Sequence, residues 1–471
     1  MTNLGINKYT KYLRIYSNFV ILSSILVFTI VIVYSLLRLI NPYEIGFNRF
    51  QVGVYFYYII LGLSFLFILI LIFLLRSNDN NKLNFSIFLT TTAISLLIIE
   101  IFFELNNNKT NEEIARDLNI QYDSRTKIEV INQLSNINKN VFPNILNNIF
   151  IDIGGIEINN RNVYPIGGIS NITTVLDNEG GYFPIIQTDE FGFNNPKGLY
   201  KNNSTDIVLV GDSFTEGFYV NQDETIASHL REKNQFVISL GKGTNGPLRE
   251  YAAIKEYASY LKPKKVVWLF YINDFTDLAL ELESDILINY LNTEYKQNLI
   301  EYQNMIDDSL KKFITLEWNK IKKEKELEKE NFKNKMKHDW IKRILKLYNI
   351  RSMFKLMPNI LHQPDNEEIF NIFKKIIINS KNLVNSWEGD FYFLYIPHCS
   401  HLISNKPDPL SDKVLNFIKQ EKISYIDLAS YIKKNNNDIL SIFPLRKCGH
   451  FNADGYKIIS DSINYYLENH Q

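Results

Sequence analysis

Cysteine is nearly absent from this 471-residue chain: Cys399 and Cys448 are the only two. One intramolecular disulfide is the most it can hold, which excludes a disulfide-framework fold and a zinc module built on cysteines. An excess of either charge is missing as well, because 51 basic residues face 51 acidic ones. Without a net field or a basic stripe, nucleic acid is not among the partners the sequence points to. No nucleotide or redox motif occurs, so no cofactor is expected. Wholesale disorder is excluded by composition, with 46% hydrophobic against 22% charged residues.

What the chain does have is concentrated apolar length. Residues 19–40, 52–75 and 85–103 form three long apolar stretches, each near the ~20 residues that cross a bilayer. They predict three transmembrane helices, a membrane anchor over residues 1–105 with the lipid bilayer as partner. The first stretch is too long for a signal peptide core, and no small-residue cleavage site follows it. Thr90, Thr91, Thr92 and Glu100 lie inside the third. Lys8, Lys11 and Arg14 precede the first stretch, and Arg76 and Lys82 occupy the second loop. The positive-inside bias then puts the N-terminus and that loop in the cytoplasm and everything after about Leu105 outside it. The expected localisation is the cytoplasmic membrane, multi-pass, with an extracytoplasmic C-terminal domain.

Residues 106–200 are polar, Asn-rich and punctuated by Gly154-Gly155, Gly167-Gly168 and Gly180-Gly181. They read as a spacer and a small β-rich lead-in without a catalytic grouping, ending in a turn over 188–196 that closes against the next domain. After Asp206, strand and helix signals alternate. Strands are predicted at 207–210, 236–240, 266–271, 391–396 and 423–427. Helices are predicted at 224–232 with Asp223 as cap, at 247–261 with Pro247 in the first turn, and at 453–467 with the stripe Tyr456, Ile459, Ile463, Tyr466. Such alternation predicts, over 201–471, an α/β fold: a doubly wound parallel sheet of about five strands flanked by helices, with its site at the carboxyl ends of the strands. A helical insertion at about 279–387 separates the third and fourth strands. Its Lys/Glu run through 320–338 reads as a solvated helix face with mixed-sign pairs. A lid or docking arm is the sharper alternative, with Phe332, Trp340, Ile344 and Leu347 as its candidate buried side.

Gly211-Asp212-Ser213-Phe214 comes directly after the apolar run Ile207-Val208-Leu209-Val210. A serine delivered by a buried strand into a glycine turn can present its hydroxyl where a base and oxyanion donors converge, although the same residues also suit an ordinary turn. Gly211-Asp212-Ser213, Leu240-Gly241, Asn273-Asp274, and His450 with Asn452 and Gly455 resemble, in this order, the four blocks of the SGNH (GDSL-type) hydrolases. The resemblance covers about residues 187–467 and implies an SGNH-like form of the fold. It implies Ser213 as nucleophile, His450 as base, and an oxyanion hole made by the amides of Ser213 and Gly241 and the side chain of Asn273. It implies no metal. Gly241 also suits a close backbone approach, and Asn273 a turn.

The pattern departs from the family at one point. An aspartate is usual two or three residues before the histidine, and here Lys447 and Cys448 stand there. Three outcomes stay open: a Ser213–His450 dyad oriented by a backbone carbonyl, an orienting acid from elsewhere such as Asp427 at the end of the fifth strand, or an inactive site. A nearby Lys447 would keep His450 neutral while disfavouring its protonated form. Pro397-His398-Cys399-Ser400-His401 is a metal-like cluster without a convincing fourth ligand, and a polar strand-end loop accounts for it better. In a doubly wound sheet the Cys399 and Cys448 loops share one edge, so a disulfide bracing the histidine loop is a further expectation.

The function these readings favour is a membrane-anchored serine esterase or acyl-transfer enzyme. It would act on acyl esters, acetyl above all, of extracytoplasmic carbohydrate through an acyl-enzyme on Ser213; a lipid ester also fits. The alternative is a catalytically degenerate SGNH domain that binds or scaffolds cell-envelope polysaccharide. Oligomeric state, acyl group and glycan are not legible in the sequence.

Overall fold

Apolar length decides the first hundred residues. In the computed structural model they form α1 (Asn3–Ile40), α2 (Val54–Leu75) and α3 (Asp79–Asn106). Within them Thr10–Leu37, Tyr57–Leu75 and Asp79–Leu105 are long and apolar enough to cross a membrane, with mean hydropathies of 2.7, 3.1 and 2.0. Their few polar groups find each other: Tyr16 and Thr90 hydroxyls lie 2.7 Å apart, and Ser86 Oγ donates to the Ser17 carbonyl at 3.2 Å. Such pairs between helices satisfy groups that hydrocarbon cannot. The structure describes residues 3–40, 54–106, 109–144, 146–201, 205–233, 235–353, 367–404 and 409–469, apart from the side chains of 3–9, 38, 54–56, 106, 324–339 and 409. Val52, at the start of the predicted second span, and the side chains of Lys8 and Phe332 lie outside that description.

The lead-in contains more structure than its polar composition suggests. Two capping boxes, Thr110 with Glu113 and Thr126 with Glu129, open α4 (Asn111–Asp117) and α5 (Lys127–Ile137). Next come β1 (Val141–Pro143), α6 (Ile149–Asp152), the hairpin β2 (Ile156–Ile158) and β3 (Arg161–Val163), then β4 (Thr173–Val175) and β5 (Ile185–Gln187). Asn159 and Asn160, with φ of 51° and 60°, make the two-residue hairpin turn. The order β1-β4-β5 gives a small mixed sheet. Phe150, Ile156, Val163, Tyr164 and Phe193 belong to the same hydrophobic core as the main sheet, so packing runs across residue 200.

The main sheet is wholly parallel. It comprises β6 (Ile207–Val210), β7 (Val237–Ser239), β8 (Lys265–Phe270), β9 (Asp390–Tyr395) and β10 (Ser424–Ile426) in the order β10-β9-β8-β6-β7. Counted along the chain this is the order 2-1-3-4-5 of doubly wound sheets, whose switch point lies between the first and third strands. Alternate residues feed opposite faces. Val208, Val210, Val266, Trp268, Phe270, Phe391 and Phe393 join one core, whereas Ile207, Leu209, Val267, Leu269, Tyr392 and Leu394 join the other.

The helices between strands are α7 (Ser213–Glu216), α8 (Ile226–Arg231), α9 (Pro247–Ala253) continued through a π turn into α10 (Ser259–Leu261), α11 (Asp274–Glu281), α12 (Asp285–Ile288), α13 (Leu299–Leu345), α14 (Tyr348–Met353), α15 (Glu367–Asn385), α16 (Cys399–Ser404), α17 (Pro409–Gln420), α18 (Leu428–Asn435) and α19 (Ala453–Asn469). The first core is covered by α9, α11, α15 and α17, the second by α8, α18 and α19. Thr225, not Asp223, caps α8, because its hydroxyl reaches the Ser228 amide. The predicted insertion contains structural helices: Leu287 of α12, Leu299, Ile306 and Leu310 of α13, and Phe370, Phe373 and Ile377 of α15 are core. Packing divides the chain into two units, Met1–Asn108 with Glu328–His362, and Lys109–Leu327 with Gln363–Gln471.

One buried ion pair ties the block after β7 to the block after β8. Glu281 on α11 accepts from the amides of Gly246, Leu248 and Arg249, the unpaired first donors of α9, and from Arg249 Nε at 2.6 Å. Both side chains are fully buried. Glu281→Ala leaves Arg249 without a counter-charge and is expected to destabilise the fold by roughly 3–5 kcal/mol, measured as lost free energy of unfolding against Asp308→Ala as an exposed control.

Candidate active site

The nucleophile turn is built by close approach. A Cβ on Gly211 would collide with Thr215 and stand 2.8 Å from the Leu269 carbonyl oxygen, and one on Gly241 would stand 2.5 Å from the Glu216 amide. Glycine at both positions lets β6, β7 and β8 end against the first turn of α7. Asp212 caps that turn, its Oδ1 accepting from the Phe214 amide at 3.0 Å. Glu216 anchors the other end: it accepts from Lys242 Nζ at 2.8 Å and from the Gly243 amide at 2.5 Å, both buried. Helix α7 and the Gly241 loop are therefore locked to one another.

Ser213 opens α7, and its Oγ lies 2.8 Å from His450 Nε2, across 237 residues of sequence. The imidazole is lined by Phe214, Phe218 and Tyr219, with ring centres 4.8, 5.8 and 4.8 Å away. Its other nitrogen, Nδ1, faces Glu179 Oε2 at 3.3 Å. The pair is within ion-pair distance without the alignment of a full hydrogen bond.

Glu179 is the residue that sequence reasoning missed. It comes from the lead-in, where no catalytic grouping was expected. Asn178 holds its turn, donating to the Asp123 carbonyl at 3.0 Å and accepting from the Gly181 amide at 2.8 Å, while Asp123 N donates to the Gly181 carbonyl at 2.7 Å. Gly181 has a φ of 108° that other residues resist. Gly449 makes room from the opposite side, since a Cβ there would stand 2.8 Å from Glu179 Oε1. The available signal was an acid beside a Gly-Gly turn, which composition alone does not separate from ordinary loop chemistry.

Asp427 is placed elsewhere in purpose. Its carboxylate accepts from the Ser430 amide and hydroxyl at 3.0 and 2.7 Å as the cap of α18, so the suggested orienting acid is a helix cap. Lys447 is likewise engaged, donating to Asn111 at 2.9 Å. Cys399 and Cys448 form a disulfide with Cα atoms 5.6 Å apart. It fastens the start of α16 to the loop two residues before His450. The metal-like reading of the adjacent cluster loses Cys399 to this bond, and His398 Nδ1 contacts Ser400 Oγ at 2.7 Å.

Two of the expected oxyanion donors have local partners. The Gly241 amide donates to Ser239 Oγ at 3.3 Å, and Asn273 Nδ2 donates to Asp277 at 3.2 Å and also bonds Asp212. Below them lies a group of buried carboxyls. Burial raises Asp212 above its ordinary range, and burial with neighbouring carboxyls raises Glu250 and Asp274 well above theirs. Asp277 is pushed up to about 8, first by burial and then by Glu281 and Asp212, against the opposing pull of Arg249.

The fold and site define a class: a doubly wound α/β domain with a serine, a histidine and a carboxylate meeting at the strand ends. No family model matches the chain, and no curated protein matches it. Among solved structures, a putative lipolytic protein of the G-D-S-L family from Desulfitobacterium hafniense DCB-2 is similar at 12% identity with a TM-score of 0.32, over 56% of this chain and 100% of that one.

This geometry has two measurable outcomes. Because Asp277 stands above its ordinary value in the folded state, the fold keeps a proton that the unfolded chain releases. Stability from this source is complete below about pH 4 and is lost as pH rises through about 8. Asp277→Asn is expected to flatten part of that decline, read as Tm against pH. For the disulfide, whose sequence separation is 49, the double variant C399S/C448S is expected to lose about 2–4 kcal/mol of stability. The unreduced wild-type chain is expected to show no thiol that alkylates under denaturing conditions.

Proposed function

We propose that this protein is a membrane-anchored serine esterase or acyl-transfer enzyme acting through an acyl-enzyme on Ser213. The observation that carries the reading is the 2.8 Å contact between Ser213 Oγ and His450 Nε2, with Glu179 on the opposite ring nitrogen. In the proposed reaction His450 Nε2 takes the Ser213 proton as Oγ attacks the ester carbonyl. Glu179 steadies the imidazolium that results, and His450 then gives the proton to the departing alcohol. The acyl group stays on Ser213 until water or a sugar hydroxyl, deprotonated by the same imidazole, attacks its carbonyl carbon; the acyl–Oγ bond then breaks and His450 returns the proton to Ser213 Oγ. The amides of Ser213 and Gly241 and the side chain of Asn273 are the proposed donors to the tetrahedral oxyanion, exchanging their local partners for it.

The degenerate-domain alternative drew on the missing aspartate. Glu179 facing Nδ1 supports the catalytic reading over it, with a carboxylate from another part of the chain in the proposed place of that aspartate. Three helices of membrane-spanning length support an anchor. The Cys399–Cys448 disulfide supports an oxidising, extracytoplasmic setting for the catalytic unit. Acyl esters of envelope carbohydrate, acetyl esters first, are the proposed substrates.

The test is hydrolysis of a small acetyl ester by the purified full chain. Ser213→Ala and His450→Ala are each expected to lower kcat/KM by at least ~10³-fold, and Glu179→Gln by roughly 10²- to 10⁴-fold with substrate KM little changed. Equal rates in all four proteins would sink the catalytic reading. Turnover that appears only with an added sugar acceptor would assign transfer instead of hydrolysis.

A further inference from the structure

Glu100 and Glu104 stand near the C-terminal end of α3, and neither faces solvent, with relative exposures of 0% and 7%. Glu100 Oε1 accepts from the Asn349 amide at 2.7 Å and from Asn349 Nδ2 at 3.0 Å, and its Oε2 accepts from the Ile350 amide at 2.9 Å. Glu104 accepts from Arg343 Nε at 2.8 Å and Nη2 at 3.2 Å, and from Asn349 Nδ2 at 2.6 Å. Arg343 in turn lies over the Tyr348 ring, 4.1 Å from its centre. The donors all belong to the end of α13 and the start of α14, so the tip of the insertion is fastened to α3 through two carboxylates.

The depth of that fastening is set by the span. Glu100 precedes Leu105, the last residue of the candidate span, by five positions, which at ~1.5 Å per residue is ~7.5 Å along the helix. An ionisable group there must be paired inside the protein. Its partners are backbone amides of residues 349 and 350, so that backbone shares its depth. Around it, Trp340, Ile341, Leu345 and Met353 are 42%, 39%, 69% and 66% exposed, interleaved with exposed Lys342 and Lys346 and with half-buried Arg351. Exposed aliphatic and Trp side chains beside snorkelling cations are the composition of a segment lying in the headgroup–acyl boundary.

We propose that residues 340–353 are a second membrane contact, resting on the reading of α1–α3 as spans and separate from the catalytic proposal. Leu345 and Met353 sit among the acyl chains of the leaflet that the end of α3 reaches, and Lys342, Lys346 and Arg351 meet the phosphates of anionic lipids.

The test uses the full chain reconstituted in vesicles that carry a nitroxide on the upper acyl chain of the lipid. Single variants Leu345→Cys and Met353→Cys are labelled with a fluorophore, the native cysteines being paired with each other. Phe65→Cys on the exposed face of α2 and Tyr465→Cys on the catalytic unit, 60% and 47% exposed, serve as references. Labels at 345 and 353 are expected to be quenched at least about twofold more than the label at 465, and K342E/K346E to halve that quenching in vesicles containing phosphatidylglycerol but not in purely zwitterionic ones. Quenching at 345 and 353 equal to that at 465, with 65 strongly quenched, overturns the proposal and points to a protein cover for this face. Loss of quenching at 65 as well overturns the span reading with it, and an unchanged signal in K342E/K346E overturns the headgroup contact.

Discussion

The contact between Ser213 Oγ and His450 Nε2 is the constraint around which the α/β unit is arranged. Neither residue is near the other in sequence, and neither is held by the other alone. Ser213 is fixed because β6 ends in a glycine that no side chain could replace, and because Glu216 pins α7 to Lys242 and Gly243. His450 is fixed by aromatic rings on one side and by a disulfide two residues upstream. The parallel sheet sets these positions at its switch point, where neighbouring strand ends diverge and leave room for side chains from several loops.

Much of this was readable from residues. The alternation of short apolar runs with helical periodicity gave the strand count and the parallel arrangement, since a run such as Val266-Val267-Trp268-Leu269 is apolar on both faces only if both faces are covered. Asp212-Ser213 and His450 were visible because their spacing from strand ends and from the last helix carries meaning. Glu179 was not. It lies in a loop whose position depends on long-range bonds from Asn178 to Asp123 and on the absence of side chains at Gly181 and Gly449, none of which leaves a periodic trace. Asp427 was attractive for the opposite reason: it ends a strand, where site residues gather, yet an aspartate there serves a helix cap equally well.

The buried charges bear on the same region in a second way. Glu281 serves as cap and counter-ion at once, so α9 and α11 share one carboxylate between them. Burial raises the proton affinity of Asp212, Glu250, Asp274 and Asp277.

Glu179 reaches the His450 ring from outside the α/β sheet. Cutting the chain where the parallel sheet starts would retain hydroxyl and imidazole yet discard the counter-ion of the ring, along with the Asp123 carbonyl that holds its turn. The stretch that looks like a tether in composition thus packs in one unit with the serine and the histidine, Lys109–Leu327 with Gln363–Gln471.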